Sequence, residues 1–286
     1  MSCTSRAATL SLDCAALGYP GASPALEGVH LRLNAGERVA LLGGNGAGKT
    51  ALLQTLVGLL PPVQGRVLID GRDVTAQPTR AVEAGAGLVF QNPDDQLFGS
   101  TVWEDALCGP QNQGHSPAES AQRVEHALRQ LRLLELRDRP IEALSFGEKK
   151  RASLAGVLAM QPSLLLLDEP TAGLDPEGEL AFLELIASSS GPGRATLLLA
   201  THAVDLVPLF ADRVILLADR HIVADGPPRE VFRETALLHS ARVRAPWATE
   251  LWLRLHEPAP ATSAAVRAEL PLTLAEAAQR FALRQP

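Results

Sequence analysis

The sequence predicts an α/β protein: a largely parallel sheet with helices on both faces, a strand-rich N-terminal part and a helical insertion. Three observations predict it. Short apolar strands alternate with helices along most of the 286 residues, the pattern of a sheet covered on both sides. Leu164–Leu167 and Thr196–Ala200 are almost uniformly apolar, as strands buried on both faces are. A glycine-rich loop, residues 43–48, lies between an apolar strand and a helix, the local setting of a phosphate-binding turn.

Taken in order, Thr9–Ala16, Val29–Leu33 and Arg38–Leu42 read as strands, with turn signals at Gly18–Pro24 and Asn34–Gly36. A helix runs from Lys49 to about Leu60, where Pro61-Pro62 would stop it. The strand Arg66–Asp70, a short helix near Thr79–Ala84 and the strand Leu88–Phe90 follow. From about Thr101 to Ala159 the chain reads as mostly helix. Ser116-Pro117 is a helix start, and Leu128, Leu131, Leu134 and Leu136 supply an apolar stripe. Alternation then resumes with strand Leu164–Leu167, helix Pro176–Ser188, strand Thr196–Ala200, helix Val204–Phe210 and strands Arg213–Leu217 and Ile222–Asp225. The expected main domain covers residues 5–235, with its helical subdomain at about 101–159. Residues 236–286 are expected to form a helical C-terminal extension. It holds a Pro/Ala linker over His256–Ala265 and an amphipathic stretch, Leu272–Leu283.

At 46 % hydrophobic and 20 % charged residues, the composition is that of a globular chain. The formal net charge of −6 argues against a nucleic-acid partner. Cys3, Cys14 and Cys108 form no paired spacing, which points to reduced thiols in a reducing compartment. No run nears the roughly 20 apolar residues of a membrane helix, and no signal peptide is visible. The expectation is a cytoplasmic protein that meets any membrane through partners.

Gly43-Gly44-Asn45-Gly46-Ala47-Gly48-Lys49-Thr50 fits the P-loop pattern G-x-x-x-x-G-K-S/T at every fixed position. Glycines let main-chain N–H groups turn inward, and the following helix N-terminus favours an anion. Lys49 suits the β- and γ-phosphates, and the Thr50 hydroxyl suits Mg²⁺. This motif alone leaves kinases, GTPases and motor ATPases open.

A second constellation narrows the choice. Asp168 ends the strand Leu164–Leu167 and is placed to hold Mg²⁺; Glu169 beside it is placed to polarise an attacking water. His202 and Gln91 each follow an apolar strand, where ligands bind in parallel sheets. Gln91 suits Mg²⁺ or water. Tyr19, upstream of the P-loop, could stack on adenine.

The motif order resembles the ABC ATPase family over roughly residues 5–235. It runs Tyr19, P-loop, Gln91, Leu144-Ser145-Phe146-Gly147-Glu148, Asp168-Glu169, Ala172-Gly173-Leu174-Asp175, His202. LSFGE followed by Lys149-Lys150-Arg151 is similar to the family's signature loop, with Phe146 and Glu148 in place of a glycine and a glutamine. The resemblance implies an ABC nucleotide-binding domain of the P-loop NTPase class that hydrolyses ATP with Mg²⁺. It also implies a head-to-tail dimer, most simply a homodimer. Each ATP would lie between one P-loop and the partner's signature loop, with Ser145, Phe146, Gly147 and Glu148 facing the partner's ATP and Asp175 linking the two sites.

Phe90–Phe98 (FQNPDDQLF) is similar to the corresponding region of energy-coupling-factor importers, and LSFGEKKR with AGVLAM resembles their cobalt/nickel branch. This implies an importer ATPase at the cytoplasmic face of the membrane, working with a transmembrane scaffold and a substrate-binding membrane subunit. Leu97, Phe98 and Trp103 would meet the membrane partner; the alternative is that Phe98 and Trp103 pack into the sheet–helix junction. A vitamin importer and a soluble non-transport ABC ATPase are the competing functions. A small-molecule kinase would need neither LSFGE nor Asp175.

Overall fold

The structure, a computed structural model, describes residues 9–256 and 270–282. Cys3, residues 257–265 of the Pro/Ala stretch and Leu283 lie outside them.

The chain opens with β1 (Leu10–Leu17), β2 (Leu26–Leu33) and β3 (Arg38–Gly43), then α1 (Lys49–Leu56), β4 (Gln64–Ile69), β5 (Arg72–Asp73), α2 (Pro78–Glu83) and β6 (Ala86–Val89). Three helices follow: α3 (Val102–Asn112), α4 (Pro117–Gln130) and α5 (Phe146–Ala159). Next come β7 (Leu164–Asp168), α6 (Pro176–Ser189), β8 (Thr196–Ala200), α7 (Val207–Phe210), β9 (Arg213–Ala218) and β10 (His221–Gly226). The described chain ends in α8 (Pro228–Val231), α9 (Thr235–Ser240), α10 (Trp247–Leu255) and α11 (Leu274–Ala282).

Two sheets form. One is antiparallel, in the order β2-β1-β4-β5; the other has the order β10-β9-β3-β8-β7-β6 and is parallel except for β10. The period-2 geometry of a strand explains the uniform apolarity of the inner strands. Ala40, Leu42, Leu165, Leu167, Leu197 and Leu199 enter the core beneath the helical region. Their alternates Val39, Leu41, Leu164, Leu166 and Leu198 enter a second core. That second core wraps α1, whose Ala51, Leu52, Leu53 and Leu56 are buried between the two sheets. A polar residue on either face of these strands would lose its water without a partner.

Some boundaries differ from the sequence expectation. Helix α1 ends at Leu56, short of Pro61, because Gly58 turns the chain at φ +75° against Gln77. Helix α7 starts at Val207, since Thr201 Oγ1 and local turns bind the preceding N–H groups and Pro208 suits only a first turn. Strand β5 has two exposed residues and no apolar signal. In the C-terminal region Leu238, Ala241, Trp252, Leu270 and Leu272 join the core of the main domain.

Candidate active site

Parallel strands put their C-terminal ends on one edge of the sheet, where α/β proteins bind ligands. Gly43 ends β3 and Asp168 ends β7; His202 follows β8 by two residues, and Gln91 follows β6 by two. Four segments far apart in sequence therefore converge.

The loop from Gly44 to Gly48 leads into α1. Gly48 has φ +96°, and a Cβ there would sit 2.9 Å from Leu26 Cγ, so only glycine fits this turn. Helix α1 begins with neither a side-chain cap nor an acidic residue in its first turn. Its free N–H groups and dipole end suit a phosphate. Asn45, Gly46, Ala47, Gly48, Lys49 and Thr50 line a cavity of about 410 Å³ that also includes Tyr19, Gln91 and Glu169. The Tyr19 hydroxyl donates to Gln54 Oε1 at 3.0 Å, and the residue is half-exposed. The loop is anchored from behind: the Gly44 N–H donates to the Ala241 carbonyl at 2.8 Å.

Lys49 is only 5 % exposed. Its Nζ donates to Gly43 O at 2.9 Å and lies 3.1 Å from His202 Nε2 and 3.4 Å from Glu169 Oε1. Burial draws this ammonium below the usual lysine range, while Glu169 pulls it back. Glu169 also lies 2.9 Å from His202 Nε2, and its Oε2 accepts from Gln91 Nε2 at 3.2 Å. Glu169 has φ +43°, outside the usual range for a residue bearing a side chain. Its N–H donates to Ala200 O at 2.9 Å, one rung beyond the β7–β8 ladder.

Asp168 is 4 % exposed. Its Oδ2 accepts the Thr50 hydroxyl at 2.7 Å, while Oδ1 is buried without a hydrogen-bond partner among the described residues. Burial pushes its carboxyl above the usual range, and the Glu169 charge adds to this; the Thr50 bond, Lys49 and Lys150 oppose it. An orphaned buried carboxylate oxygen beside a threonine hydroxyl is the donor set of a hard divalent cation. Mg²⁺ fits these residues.

The signature-like residues lie elsewhere. Ser145, Gly147, Gly173 and Asp175 line a separate cavity of about 670 Å³. Ser145 and Glu148 form a reciprocal capping box at the start of α5: Ser145 Oγ accepts the Glu148 N–H at 3.3 Å, and Glu148 Oε2 accepts the Ser145 N–H at 2.7 Å. Glu148 also lies 3.7 Å from Arg139. Its carboxylate is thus engaged within its own helix cap and by a cation. The Phe146 ring covers Gly173, where a Cβ would lie 2.8 Å from a ring carbon. Asp175 caps α6, accepting the Gly178 N–H at 2.7 Å. One chain therefore brings together Tyr19, Asn45–Thr50, Gln91, Asp168, Glu169 and His202, but not Ser145, Phe146, Gly147, Glu148 or Asp175.

The three residues expected to meet a membrane partner divide. Phe98 is 75 % exposed, whereas Leu97 and Trp103 pack against the core and Arg137 stacks over the Trp103 ring at 5.2 Å.

Two contacts to the site have weak sequence signals. Lys150 Nζ donates to Gln91 O and Glu169 O, and the Lys149-Lys150-Arg151 run hints only at a basic surface. The Ala241 contact to Gly44 uses main-chain atoms, which no side-chain pattern reports.

The sequence profile of the ABC transporter family matches residues 26–172, just over half of the chain. An ABC transporter ATP-binding protein (so named) of Geobacter sulfurreducens is 46 % identical, over 86 % of this chain and 89 % of that protein. The energy-coupling factor transporter ATP-binding protein EcfA of Methanocaldococcus jannaschii is 43 % identical, over 80 % of this chain and 82 % of EcfA. Among solved structures, CbiO1 of Clostridium perfringens, described as part of the ABC transporter complex CbiONQ, aligns with a TM-score of 0.69. It is 37 % identical, over 80 % of this chain and 92 % of CbiO1. The fold, the converged strand ends and these relatives agree: the chain belongs to the ABC transporter family, as one of its ATP-hydrolysing subunits.

Proposed function

We propose that the chain powers an energy-coupling-factor importer, working as a head-to-tail homodimer at the cytoplasmic face of the membrane, with cobalt or nickel ions as cargo. Its partners are a transmembrane scaffold and a substrate-binding membrane subunit. The observation that carries the dimer reading is a pair of separately lined cavities in one chain. The phosphate and hydrolytic groups line one cavity and the signature-like residues line another, so a second copy completes each site. The similarity to EcfA and CbiO1 supports an importer. The resemblance of FQNPDDQLF to energy-coupling-factor importers adds to this, and that of LSFGEKKR with AGVLAM to their cobalt/nickel branch supports the cargo. No described helix is long and apolar enough to cross a membrane.

Tyr19 stacks on the adenine, and the Gly44–Gly48 loop, Lys49 and the start of α1 hold the phosphates. Thr50, Asp168 and Gln91 would hold Mg²⁺, which when bound neutralises charge on the β- and γ-phosphates. Glu169 takes a proton from the water that attacks the γ-phosphate, releasing ADP and phosphate. His202 lies within 3.1 Å of both Glu169 and Lys49 and orients them. Ser145 and the N–H groups opening α5 meet the partner's γ-phosphate, and Asp175 contacts the partner across the interface.

The test is co-purification. Tagged Glu169→Gln protein, loaded with ATP and Mg²⁺, is recovered from detergent-solubilised native membranes. Small polytopic membrane proteins are expected with it, and the one that is not the scaffold identifies the cargo. Recovery of soluble or ribosomal proteins alone would overturn the import reading.

A further inference from the structure

Lys150 is a buried cation that the nucleotide chemistry above does not use. It lies on the second turn of α5 and is wholly inaccessible, at 0 % exposure. Its ammonium donates to the main-chain oxygens of Gln91 at 2.5 Å and Glu169 at 3.2 Å, and stands 5.4 Å from the Phe146 ring. A buried charge is costly, and an apolar side chain of this length would fill the space without that cost. The hydrogen bonds are what the cation adds. They fix two loops at once, one of them through a residue in strained backbone. Glu169 sits at φ +43°, with its N–H tied to Ala200 and its carbonyl tied to Lys150.

The same helix start carries three other links. Ser145 and Gly147 open toward the second cavity, and Phe146 packs over Gly173, two residues before Asp175. Within one turn and a half, α5 touches the signature-like cavity, the loop to Asp175, the Gln91 loop and the Glu169 backbone.

We propose that Lys150 is a positioning residue: through it, α5 sets Gln91 and Glu169 in its own chain's nucleotide site while the start of α5 engages the partner's nucleotide. This rests on the head-to-tail reading above. It gives a covalently continuous route by which closure on one nucleotide orders the hydrolytic groups around the other. Removing the ammonium leaves Lys49 and the phosphate loop in place, so binding survives and turnover suffers.

Lys150→Met keeps length and removes the donors. Its expected kcat is about 10- to 100-fold lower, the scale of an ångström-sized misplacement of a reacting group. Its ATP affinity stays within about threefold of wild type, since the binding groups are untouched. Lys150→Arg, which restores donors, recovers part of the rate. Should the Met variant fail to fold, Lys150→Gln retains two donors on a shorter arm and is measured in its place. The decisive sample is a mixed pair, purified through two tags, of one Lys150→Met chain and one Glu169→Gln chain. Its single competent site uses Glu169 of the Lys150→Met chain with the other chain's intact signature loop. The expected rate is at least about tenfold below that of a wild-type/Glu169→Gln pair. A rate equal to that pair would overturn the proposal, because Lys150 would then support only the signature loop; so would wild-type kcat in the Lys150→Met homodimer. Normal turnover in the Glu169→Gln homodimer is a separate result, and would count against Glu169 as the base.

Discussion

Glu148 occupies the place where the ABC signature loop usually has glutamine, beside the Ser145 and Gly147 proposed to face the partner's nucleotide. The structure assigns its carboxylate to the cap of α5, and Glu148→Ala tests that assignment. The substitution removes the acceptor of the Ser145 N–H at 2.7 Å and the 3.7 Å pair with Arg139, but leaves Ser145 Oγ to accept the residue-148 N–H. Losing half of a capping box costs about 0.5–1.5 kcal/mol. The Arg139 side chain is 44 % exposed, so that pair adds only about 0.2–0.5 kcal/mol. Together these lower Tm by roughly 1–3 °C in a chain of this size. The sign with pH is fixed. The Ser145 N–H holds the Glu148 carboxyl below its ordinary value of 4.5. Its stabilisation is therefore complete above that value and is lost as pH falls through the lower, folded-state one. Scanning calorimetry should show the gap between variant and wild type narrowing as the buffer is acidified below about pH 4.5. Steady-state assays should give an ATP KM within about twofold of wild type. An unchanged Tm with a clearly lower KM would refute the reasoning, since that result marks a carboxylate facing the nucleotide.

Asp168→Asn should lower Mg²⁺-supported hydrolysis on the order of 100-fold, yet nucleotide-free protein should melt no lower than wild type. Burial raises the Asp168 carboxyl, so its ionised form costs stability at neutral pH, and that cost fades as pH falls through the raised value; a melting loss of several degrees would contradict this. Phe98→Ala should change stability by less than about 0.5 kcal/mol while lowering ATP-driven transport in vesicles reconstituted with the membrane partners. Trp103→Ala, which strips a half-buried ring from the core and from Arg137, should cost about 1–3 kcal/mol in denaturant titrations; equal losses in the two variants would refute the division between them.

The inner sheet was legible because β7 and β8 are buried on both faces and contain almost nothing polar. The groups at its C-terminal edge were legible because each follows such a strand. The rest was hidden for physical reasons. Gly58 stops α1 through backbone torsion and contact with Gln77, which leaves no pattern in composition. The C-terminal segment read as an appendage because its apolar residues are spaced among prolines and alanines; in the fold, Trp252 is wholly buried and Ala241 receives the Gly44 N–H through main-chain atoms. Lys150 was hidden because a buried ammonium bound to two carbonyls cannot be told from a surface lysine in a basic run. Glu148 stands where the resemblance expects glutamine, and its role as the reciprocal cap of Ser145 is a matter of side-chain geometry that the spacing alone does not report.

The measurement that bears most directly on the account is the mass of the Glu169→Gln protein by sedimentation velocity, with and without ATP and Mg²⁺. In the proposed head-to-tail dimer each of the two cavities supplies half of a nucleotide site, and a variant that binds without hydrolysing should keep both sites closed. A shift to dimer is expected on adding nucleotide, abolished when Ser145→Arg blocks the second cavity. A Glu169→Gln protein that binds ATP and keeps its nucleotide-free mass would contradict it.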